Sequence, residues 1–165
     1  MEACAEVTRA HVITISDGVS AGLRDDLSGP ALVRLLTAAE FEVSGPEVLP
    51  DSKPRIADAI VAAASAGADF VVTTGGTGLG PRDVTPQATS GVIEFEVPGL
   101  GETMRRAGAA STPMAALSRS MAGVRGTTLI VNVPGSKKGA TESLEAILPV
   151  LPHAIRLLHG HTSHD

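Results

Sequence analysis

Residues 69–86 read D-F-V-V-T-T-G-G-T-G-L-G-P-R-D-V-T-P, and this stretch predicts one complete strand–loop–helix unit. Its first part, Asp69–Thr73, is short, β-branched and largely apolar, which is typical of a strand covered on both faces of a sheet. Four glycines follow within six positions. Pro86 then suits the first turn of a helix that runs to about Phe95. Strand, tight loop and helix in this order predict a parallel α/β fold.

Two further runs of the same kind lie on either side of this unit. His11–Ile15 reads H-V-I-T-I and Thr127–Val133 reads T-T-L-I-V-N-V, so both are predicted to be buried parallel strands. Glu42–Leu49 contains a glycine and a proline and is predicted to be an edge strand, because proline cannot donate to a strand ladder. A turn at Arg125-Gly126 is predicted to join a short strand near Ser120–Val124 to the last strand, in a hairpin at the edge of the sheet.

Helical segments separate these strands, and several carry a proline near the first turn. The predicted helices are one capped by Ser28 with Pro30 in its first turn, Arg55–Ala66 after Pro54, Glu102–Ala110, Thr112–Leu117, and a last helix from Thr141 that Pro149 and Pro152 interrupt. This alternation predicts a three-layer α/β/α sandwich with a mostly parallel central sheet and a short antiparallel edge hairpin.

Composition and charge exclude several classes of function. The 165-residue chain has three Phe, no Trp and no Tyr, and its formal net charge is −5. Single strands of nucleic acid are bound by aromatic stacking and duplexes by Lys and Arg, so nucleic acid is not an expected partner. No secretory signal and no membrane-spanning apolar run is found, which predicts a cytoplasmic protein. Without repeats or linkers, a single domain is expected over residues 1–165, with flexible ends at about 1–8 and 160–165.

Polar and glycine-rich loops follow the predicted strands. Because the carboxyl ends of parallel strands meet at one edge of a sheet, these loops are expected to converge there on a ligand. The four loops are Ser16-Asp17-Gly18 with Arg24, Asp25 and Asp26, then Pro50-Asp51-Ser52, then residues 74–83, and finally residues 132–139. Within the first loop, Asp17 and Asp26 are expected to organise turns, and the alternative for each is a role as a metal ligand.

The loop of residues 75–80, here called the glycine loop, is expected to bind phosphate. Its glycines leave backbone N–H groups accessible, so an anion can approach without meeting a Cβ atom. No Gly-Lys-Ser/Thr sequence follows, which excludes a P-loop, and Pro81 stands where the dinucleotide fingerprint has its third glycine. The alternative is a glycine-rich turn that holds no ligand.

Two aspartates, Asp51 and Asp83, each follow a strand at the same edge. Carboxylates beside bound phosphates usually hold a divalent cation, and Mg²⁺ prefers hard oxygen ligands. Both residues are therefore candidate Mg²⁺ ligands. The alternative for each is a helix cap, before Pro54 for Asp51 and before Pro86 for Asp83.

Cations and a hydroxyl predict a second anion site. Ser136, Lys137 and Lys138 follow Pro134-Gly135 and precede the last helix, a combination that suits an anionic group. The alternative is a solvated basic turn. Arg119, which two serines flank, is either a third cation of the site or a surface residue.

Together these motifs resemble one known family. The motifs are Thr73–Gly78 (T-T-G-G-T-G), the R-D-V-T-P continuation from Arg82, Ser28-Gly29-Pro30, Asp51 and Pro134-Gly135-Ser136. They are similar to the Mog/MoaB family of molybdenum-cofactor biosynthesis proteins, and the resemblance extends over about residues 11–159. It implies a molybdopterin adenylyltransferase, usually trimeric, with ATP and molybdopterin as substrates and Mg²⁺ as cofactor. In that reaction the terminal phosphate of molybdopterin attacks the α-phosphorus of ATP, and pyrophosphate leaves.

The resemblance also implies roles for residues of this chain. Aspartates at the positions of Asp51 and Asp83 are the catalytic, metal-associated carboxylates of the family. The glycine loop serves nucleotide and phosphate binding, and Pro134–Ser136 serves the phosphate side of molybdopterin. We accordingly assign to the nucleotide phosphates Gly75, Gly76, Thr77, Gly78, Gly80 and Arg82, and to molybdopterin Pro134, Gly135, Ser136, Lys137, Ser118 and Arg119. Many members carry a further acidic residue after the first aspartate and a proline at position 137, where this chain has Ser52 and Lys137.

Two other functions stay open on the sequence. One is a molybdopterin carrier without transferase activity. The other is a nucleotide hydrolase on the same scaffold, which would turn over ATP without any pterin. The expected partners are the small-molecule substrates, further copies of the chain in a homotrimer and, transiently, a molybdenum-insertion protein.

Overall fold

The computed structural model describes residues 7–162, so the outermost parts of the predicted flexible ends, residues 1–6 and 163–165, lie outside the described residues. The strands are β1 (Arg9–Ile15), β2 (Glu42–Leu49), β3 (Phe70–Thr74), β4 (Phe95–Glu96), β5 (Ala122–Arg125) and β6 (Thr128–Val133). They form one sheet in the spatial order β2-β1-β3-β6-β5-β4. The strands β2, β1, β3 and β6 pair in parallel, whereas β5 pairs antiparallel with both of its neighbours, β6 and β4. The predicted sheet is confirmed.

The position of β1 in the sheet explains where a ligand site can form. The chain leaves β1 for β2 on one side and later crosses to β3 on the other side. The loops after β1 and β3 therefore run in opposite directions and leave a crevice between them. Open α/β sheets bind their ligands in such a crevice. The outer strand β2 is an edge strand as predicted, and its register against β1 shifts between His11 and Ile13, opposite Gly45-Pro46.

Helices cover both faces of the sheet. They are α1 (Asp17–Ser20), α2 (Ser28–Ala38), α3 (Lys53–Ser65), α4 (Thr85–Ser90), α5 (Pro98–Ala109), α6 (Lys137–Ile147) and α7 (Leu151–Leu158), with 3₁₀ helices at Pro113–Leu117 and Leu148–Val150. One core cluster joins the sheet to α2, α5, α6 and α7, and a second joins it to α3 and α4. Neighbouring strand residues alternate between them, since Val131 lies in the first cluster and Ile130 in the second. The three-layer sandwich is thereby confirmed. None of the helices among residues 7–162 has the length and apolarity that a membrane crossing requires.

The prediction for the segment after Pro86 was wrong at its end. Helix α4 stops at Ser90, and Phe95–Glu96 forms the outermost strand rather than the last helical turn. Glu94 N donates to Val124 O at 2.7 Å, and Ile93 packs so closely on Gly123 that a Cβ there would lie 2.9 Å from Ile93 Cγ2. Pairing with β5 therefore draws this segment out of the helix.

Other element boundaries also differ from the predictions. Both α5 and α6 begin four residues before their predicted starts at Glu102 and Thr141. Proline occupies the first position of α5, and Ser136 caps α6 because its Oγ accepts from Gly139 N at 3.0 Å. The predicted short helix at 112–117 is a 3₁₀ helix, whereas the predicted interruption of the last helix at its two prolines is confirmed.

The cap predicted for α2 is also wrong. Ser28 is the first helical residue, and its side chain makes no capping bond. Asp26 provides that bond instead, since its Oδ1 accepts from Gly29 N at 2.9 Å and its Oδ2 accepts from Thr14 Oγ1 at 2.7 Å. The turn-organising role expected of Asp26 is confirmed.

Candidate functional site

A cavity of about 870 Å³ opens at the carboxyl edge of the parallel strands. All four polar loops that were predicted to meet at this edge contribute to its wall, with Ser16 and Arg24–Ser28, Asp51, Thr74–Leu79 with Asp83, and Pro134–Lys137. A further wall comes from α5 and the segment behind it, with Met104, Arg105, Gly108 and Ser118. The fold therefore brings residues that are distant in sequence to one place.

The start of the glycine loop requires glycine. Gly75 and Gly76 have φ angles of 105° and 67°. A Cβ at Gly75 would overlap the carbonyl oxygen of Ile15. A Cβ at Gly76 would overlap Thr85 Oγ1 and lie 3.1 Å from Asp51 Oδ1. The loop backbone therefore approaches β1, α4 and Asp51 more closely than any larger residue allows.

The glycine loop binds the protein through its carbonyl groups, and three of its amides, those of residues 76–78, have no acceptor in the described chain. Arg119 N donates to Thr77 O at 2.8 Å, Arg119 Nε donates to Gly78 O at 2.9 Å, and Thr85 N donates to Gly76 O at 3.2 Å. No acceptor among residues 7–162 takes the N–H groups of those three loop residues. Three successive free amides in a cavity wall form a site that suits an anion.

Asp17 and Asp51 connect the loops after β1 and β2 by reciprocal hydrogen bonds. Asp17 N donates to Asp51 Oδ2 at 2.9 Å, and Asp51 N donates to Asp17 Oδ1 at 3.0 Å. Arg82 adds two bonds to the Asp17 carboxylate, from Nε and from Nη2, each of 3.0 Å. Asp17 was expected to organise a local turn, and it links three loops instead.

The carboxyl groups of these two aspartates have opposite electrostatic environments. The hydrogen bond from Arg82 holds the pKa of Asp17 below its ordinary value. Burial raises the pKa of Asp51; the N–H of Asp17 partly offsets this effect, and the charges of Asp17 and Asp83 add to it. Asp51 is therefore a carboxylate that a bound cation would stabilise.

Asp83 closes the end of the glycine loop. Its Oδ2 accepts from Gly80 N at 2.9 Å, and a Cβ at Gly78 or Gly80 would lie 2.9 or 2.8 Å from that oxygen. Neither Asp83 nor Asp51 is the N-cap residue of the helix that follows it. The alternative role as a helix cap is therefore wrong for both.

The two carboxylates fit Mg²⁺ better than a metal that needs an all-protein ligand set. The described part of the chain contains no group of three or more His, Cys, Asp and Glu side chains that could hold a metal ion. In phosphate-binding sites Mg²⁺ uses one or two carboxylates and fills its remaining positions with water and phosphate oxygens. Asp51 and Asp83 both line the cavity. Burial raises the pKa of Asp51, and a bound cation would stabilise its ionised form. This donor set suits Mg²⁺ that is bound together with a phosphate.

The fourth loop brings a helix N-terminus and a lysine to the cavity. Thr74 Oγ1 donates to Pro134 O at 2.8 Å and fixes the loop beside the glycine loop. Lys137, the first residue of α6, lines the cavity. Lys138 is not among the described residues that line the cavity, and its Nζ lies 3.9 Å from Glu142 Oε1. Of the two lysines, Lys137 is therefore the one placed to meet a ligand.

Two of the predicted cations support the site from behind its wall. Arg82 pairs with the first loop, and Arg119 adds to its loop contacts a bond from Nη2 to Asp83 O at 2.7 Å. Neither arginine is among the residues that line the cavity in the described chain. Ser118 does line it, and its Oγ shares a 2.8 Å hydrogen bond with Ser120 Oγ.

Arg105 and Glu142 are charged residues of the wall that lie outside the four predicted loops, and Arg24 belongs to the first loop without an individual role. Arg24 Nη2 donates to Ser16 Oγ at 3.0 Å, and Arg105 Nη1 donates to Ser120 O at 2.7 Å. The sequence contained one indication that Arg105 is paired. It borders the apolar stripe of α5, and a charged side chain that faces inward usually has a partner. For Glu142 the helical pattern offered no comparable signal.

Known proteins are similar to this chain in sequence and fold. A family described as "Probable molybdopterin binding domain" matches residues 11–153. The chain is 39% identical over 155 residues to a molybdopterin adenylyltransferase of Helicobacter pylori strain J99, which covers 90% of this chain and 86% of that protein. The solved structure of MoaB, a molybdopterin biosynthesis enzyme of Thermus thermophilus, matches with a TM-score of 0.87 and 51% identity, over 93% of this chain and 98% of the other.

One relative is about twice as long. A molybdenum cofactor biosynthesis bifunctional protein of Synechococcus elongatus is 38% identical over 151 residues, which amount to 92% of this chain and 47% of that protein. The chain thus spans about half the length of this curated relative.

Proposed function

This chain belongs to the molybdopterin-binding domain family, and we propose that it is a molybdopterin adenylyltransferase of molybdenum-cofactor biosynthesis. A terminal phosphate oxygen of molybdopterin forms a bond to the α-phosphorus of ATP. The bond from that phosphorus to the oxygen it shares with the β-phosphorus breaks, and the products are adenylyl-molybdopterin and pyrophosphate. The observation that carries the proposal is one cavity lined by three amides of the glycine loop that are unpaired in the described chain, by the N-terminus of α6 with Lys137, and by the carboxylates of Asp51 and Asp83.

The two anion-binding surfaces are proposed to hold the two substrates. The nucleotide phosphates bind the free amides of Gly76–Gly78, and the molybdopterin phosphate binds the N-terminus of α6 with Lys137. Two phosphates repel each other, so their approach requires positive potential on both sides. No side chain has to act as a nucleophile, because the molybdopterin phosphate is itself the nucleophile and catalysis depends on positioning.

Asp51 and Asp83 are proposed to hold Mg²⁺. When bound, the ion neutralises phosphate charge in the substrate and in the departing pyrophosphate. Asp17 and Arg82 fix Asp51 relative to the glycine loop, and Arg119 fixes the loop itself. These three residues therefore position the groups that contact substrate.

The activity is tested by incubating the protein with molybdopterin and Mg-ATP and measuring pyrophosphate and adenylyl-molybdopterin. We expect the two products in equal amounts and no pyrophosphate without molybdopterin. Binding of molybdopterin without pyrophosphate release would identify a carrier instead. Consumption of ATP without any pterin would identify a hydrolase.

The carboxylate assignment predicts a selective loss of turnover. Asp51→Asn or Asp83→Asn should lower turnover at least about 100-fold, because preorganised charge contributes about that much, while molybdopterin binding survives. Asp58→Asn, at an exposed position of α3, is the matched control and should leave turnover unchanged. Near wild-type AMP transfer in both site variants would refute the assignment.

The assembly and the partners belong to the same proposal. We propose a homotrimer and a transient contact with a molybdenum-insertion protein that receives the product. The additional half of the bifunctional relative supports such a contact, since fusion keeps two successive activities together. A single domain over the whole chain, a cytoplasmic location and the lack of nucleic-acid and membrane partners stay predictions from the sequence.

A further inference from the structure

One carboxylate lies in a part of the cavity whose other charged groups suit anions. Glu142 lines the cavity from α6, and its side chain is 26% exposed. It stands further along the helix than Lys137, at which the molybdopterin phosphate is proposed to bind. A carboxylate at this position repels phosphate and can only accept hydrogen bonds. The ligand group that contacts it must therefore be a hydrogen-bond donor.

The Glu142 carboxylate is held by one oxygen and open at the other. Ser111 Oγ donates to Oε1 at 2.6 Å, and the exposed Lys138 Nζ lies 3.9 Å from the same oxygen. Among residues 7–162, no donor reaches Oε2. The hydroxyl of Ser111 therefore orients the group, and a free acceptor remains for a ligand.

The other carboxylates of the wall are committed elsewhere. Both oxygens of Asp26 accept bonds from within the first loop. Asp25 is exposed on that loop, where water competes with a ligand. Asp51 and Asp83 stand beside the glycine loop and its phosphate site. Glu142 is thus the carboxylate available to the ring portion of a ligand.

The wall around Glu142 suits a flat ring. Gly139 and Ser143 line the cavity from the same helix, and Met104 and Gly108 line it from α5, which packs against α6. These side chains are small or flexible and leave room for a planar group. From Lys137 to Glu142 the helix rises about 7.5 Å, which is comparable with the long axis of a fused bicyclic ring.

We propose that Glu142 is a specificity-determining residue that binds the 2-amino and N3–H groups of the pterin. These two N–H groups point in parallel and match the two oxygens of a carboxylate, as guanidinium groups do, because Oε2 is free within the described chain and Oε1 can accept a second bond beside that from Ser111. Adenine presents a single amino group beside a ring-nitrogen acceptor, which a carboxylate disfavours. The inference rests on the proposed function, and it assigns the α6 half of the cavity to the pterin.

The test compares two fluorescent probes that differ at the recognised edge. Pterin with a phosphooxymethyl group at C6 carries the 2-amino group, and the corresponding lumazine has oxygen there. We expect the wild-type protein, without ATP, to bind the pterin at least about tenfold more tightly. Glu142→Gln keeps an acceptor for Ser111, so it should bind the pterin about tenfold more weakly and lose the preference. Glu145→Gln, at an exposed position of the same helix, should behave as wild type.

Turnover gives an independent readout. Glu142→Gln should raise the KM for molybdopterin about tenfold and change kcat and the KM for ATP by no more than about twofold. Ser111→Ala should weaken pterin binding about two- to threefold and serves if the first variant does not fold. Unchanged preference for the pterin probe in Glu142→Gln would overturn the proposal.

The same measurements separate this inference from the proposed function. A wild-type protein that prefers the pterin probe but releases no pyrophosphate supports the role of Glu142 and refutes the transferase. A wild-type protein that transfers AMP to molybdopterin without distinguishing the probes refutes the role of Glu142 and leaves the transferase standing.

Discussion

Asp51 illustrates how the metal-binding role proposed for a residue can oppose stability. Because burial raises its pKa above the ordinary 3.8, ionisation costs stability as the pH rises from that value through the pKa in the folded state. Asp51→Asn removes this cost. We therefore expect the variant, without Mg²⁺, to melt at a higher temperature than the wild type at pH 7, and to lose this advantage below about pH 3.8. Thermal unfolding monitored by circular dichroism at both pH values measures the difference.

Two further substitutions serve as controls for that prediction. Asp58→Asn should leave the melting temperature unchanged at both pH values, since no comparable burial affects it. Asp17→Asn should act in the opposite direction at pH 7, because Arg82 stabilises the ionised Asp17, and this contribution is lost as the pH falls through the lowered pKa. The effect is small because the pair is exposed. A lower melting temperature of Asp51→Asn at pH 7 would contradict the argument.

At the same scale, the sequence predicted residue types better than their partners. The R-D-V-T-P motif indicated a cation beside the glycine loop, whereas Arg119, which the sequence assigned to the molybdopterin site, contacts the glycine loop as well. However, the guanidinium group of an arginine next to such a loop can pair equally well with a ligand, with Asp17 or with backbone carbonyl groups. Which of these partners lies within reach depends on tertiary distances, and for Arg82 and Arg119 the partners belong to the protein.

Helix α4, which follows the glycine loop, is attached to the sheet by a buried polar link. Asn132 Nδ2 donates to Thr73 Oγ1 and to Thr89 Oγ1, both at 2.9 Å, and so connects β6, β3 and α4. Asn132 Oδ1 is buried and has no partner in the described chain. At the other end of α4, Thr85 Oγ1 donates to Gly75 O at 2.9 Å. The link therefore fixes the element on which the loop rests.

Breaking this link should affect both stability and turnover. Asn132→Ala leaves two buried hydroxyls without their partner, so we expect the free energy of unfolding to fall by about 1–3 kcal/mol. Turnover should fall at least about tenfold, because a displaced loop no longer positions the phosphates. Urea denaturation and the pyrophosphate assay measure the two effects.

Thr128→Ala provides the matched comparison for that variant. It removes the bond from Thr128 Oγ1 to Ala68 O, of 2.7 Å, at the opposite end of β6. It should lower stability and leave kcat unchanged. Equal kcat in the two variants would show that the Asn132 link has no bearing on the loop.

Among the elements, length decided which ones the sequence could predict. Continuous apolar runs identified β1, β3 and β6, since a strand covered on both faces needs them. Phe95–Glu96 is too short to show any pattern, and only its pairing with β5 makes it a strand. Likewise, α6 begins at Lys137 because Ser136 caps it. The sequence allowed more than one start for this helix, so it did not identify Ser136 as the cap.

For the whole molecule, the homotrimer is the prediction to test. Leu23, Phe95 and Val150 are 83%, 54% and 49% exposed in the single chain, and an interface between copies of the chain would cover side chains of this kind. Light scattering after size-exclusion chromatography should give about three times the 16.7 kDa of one chain. A monomer or dimer mass at micromolar concentration would refute the trimer.

At this scale the sequence indicated the layers and the edge at which the loops meet, because both follow from the alternation of strands and helices. It could not indicate that α5 and the 3₁₀ helix behind it form a wall of the cavity. That arrangement depends on the antiparallel β5 and β4, which carry the chain back past the glycine loop.

The cavity wall contains no aromatic ring among the residues described, and the whole chain lacks Trp and Tyr. The protein is consequently almost transparent in the near ultraviolet, where its three Phe absorb only weakly. A pterin bound between α5 and α6 would dominate the spectrum of the complex, without energy transfer from the protein and without quenching by a stacked indole or phenol. Binding and release of the pterin could then be followed through its own absorbance and fluorescence.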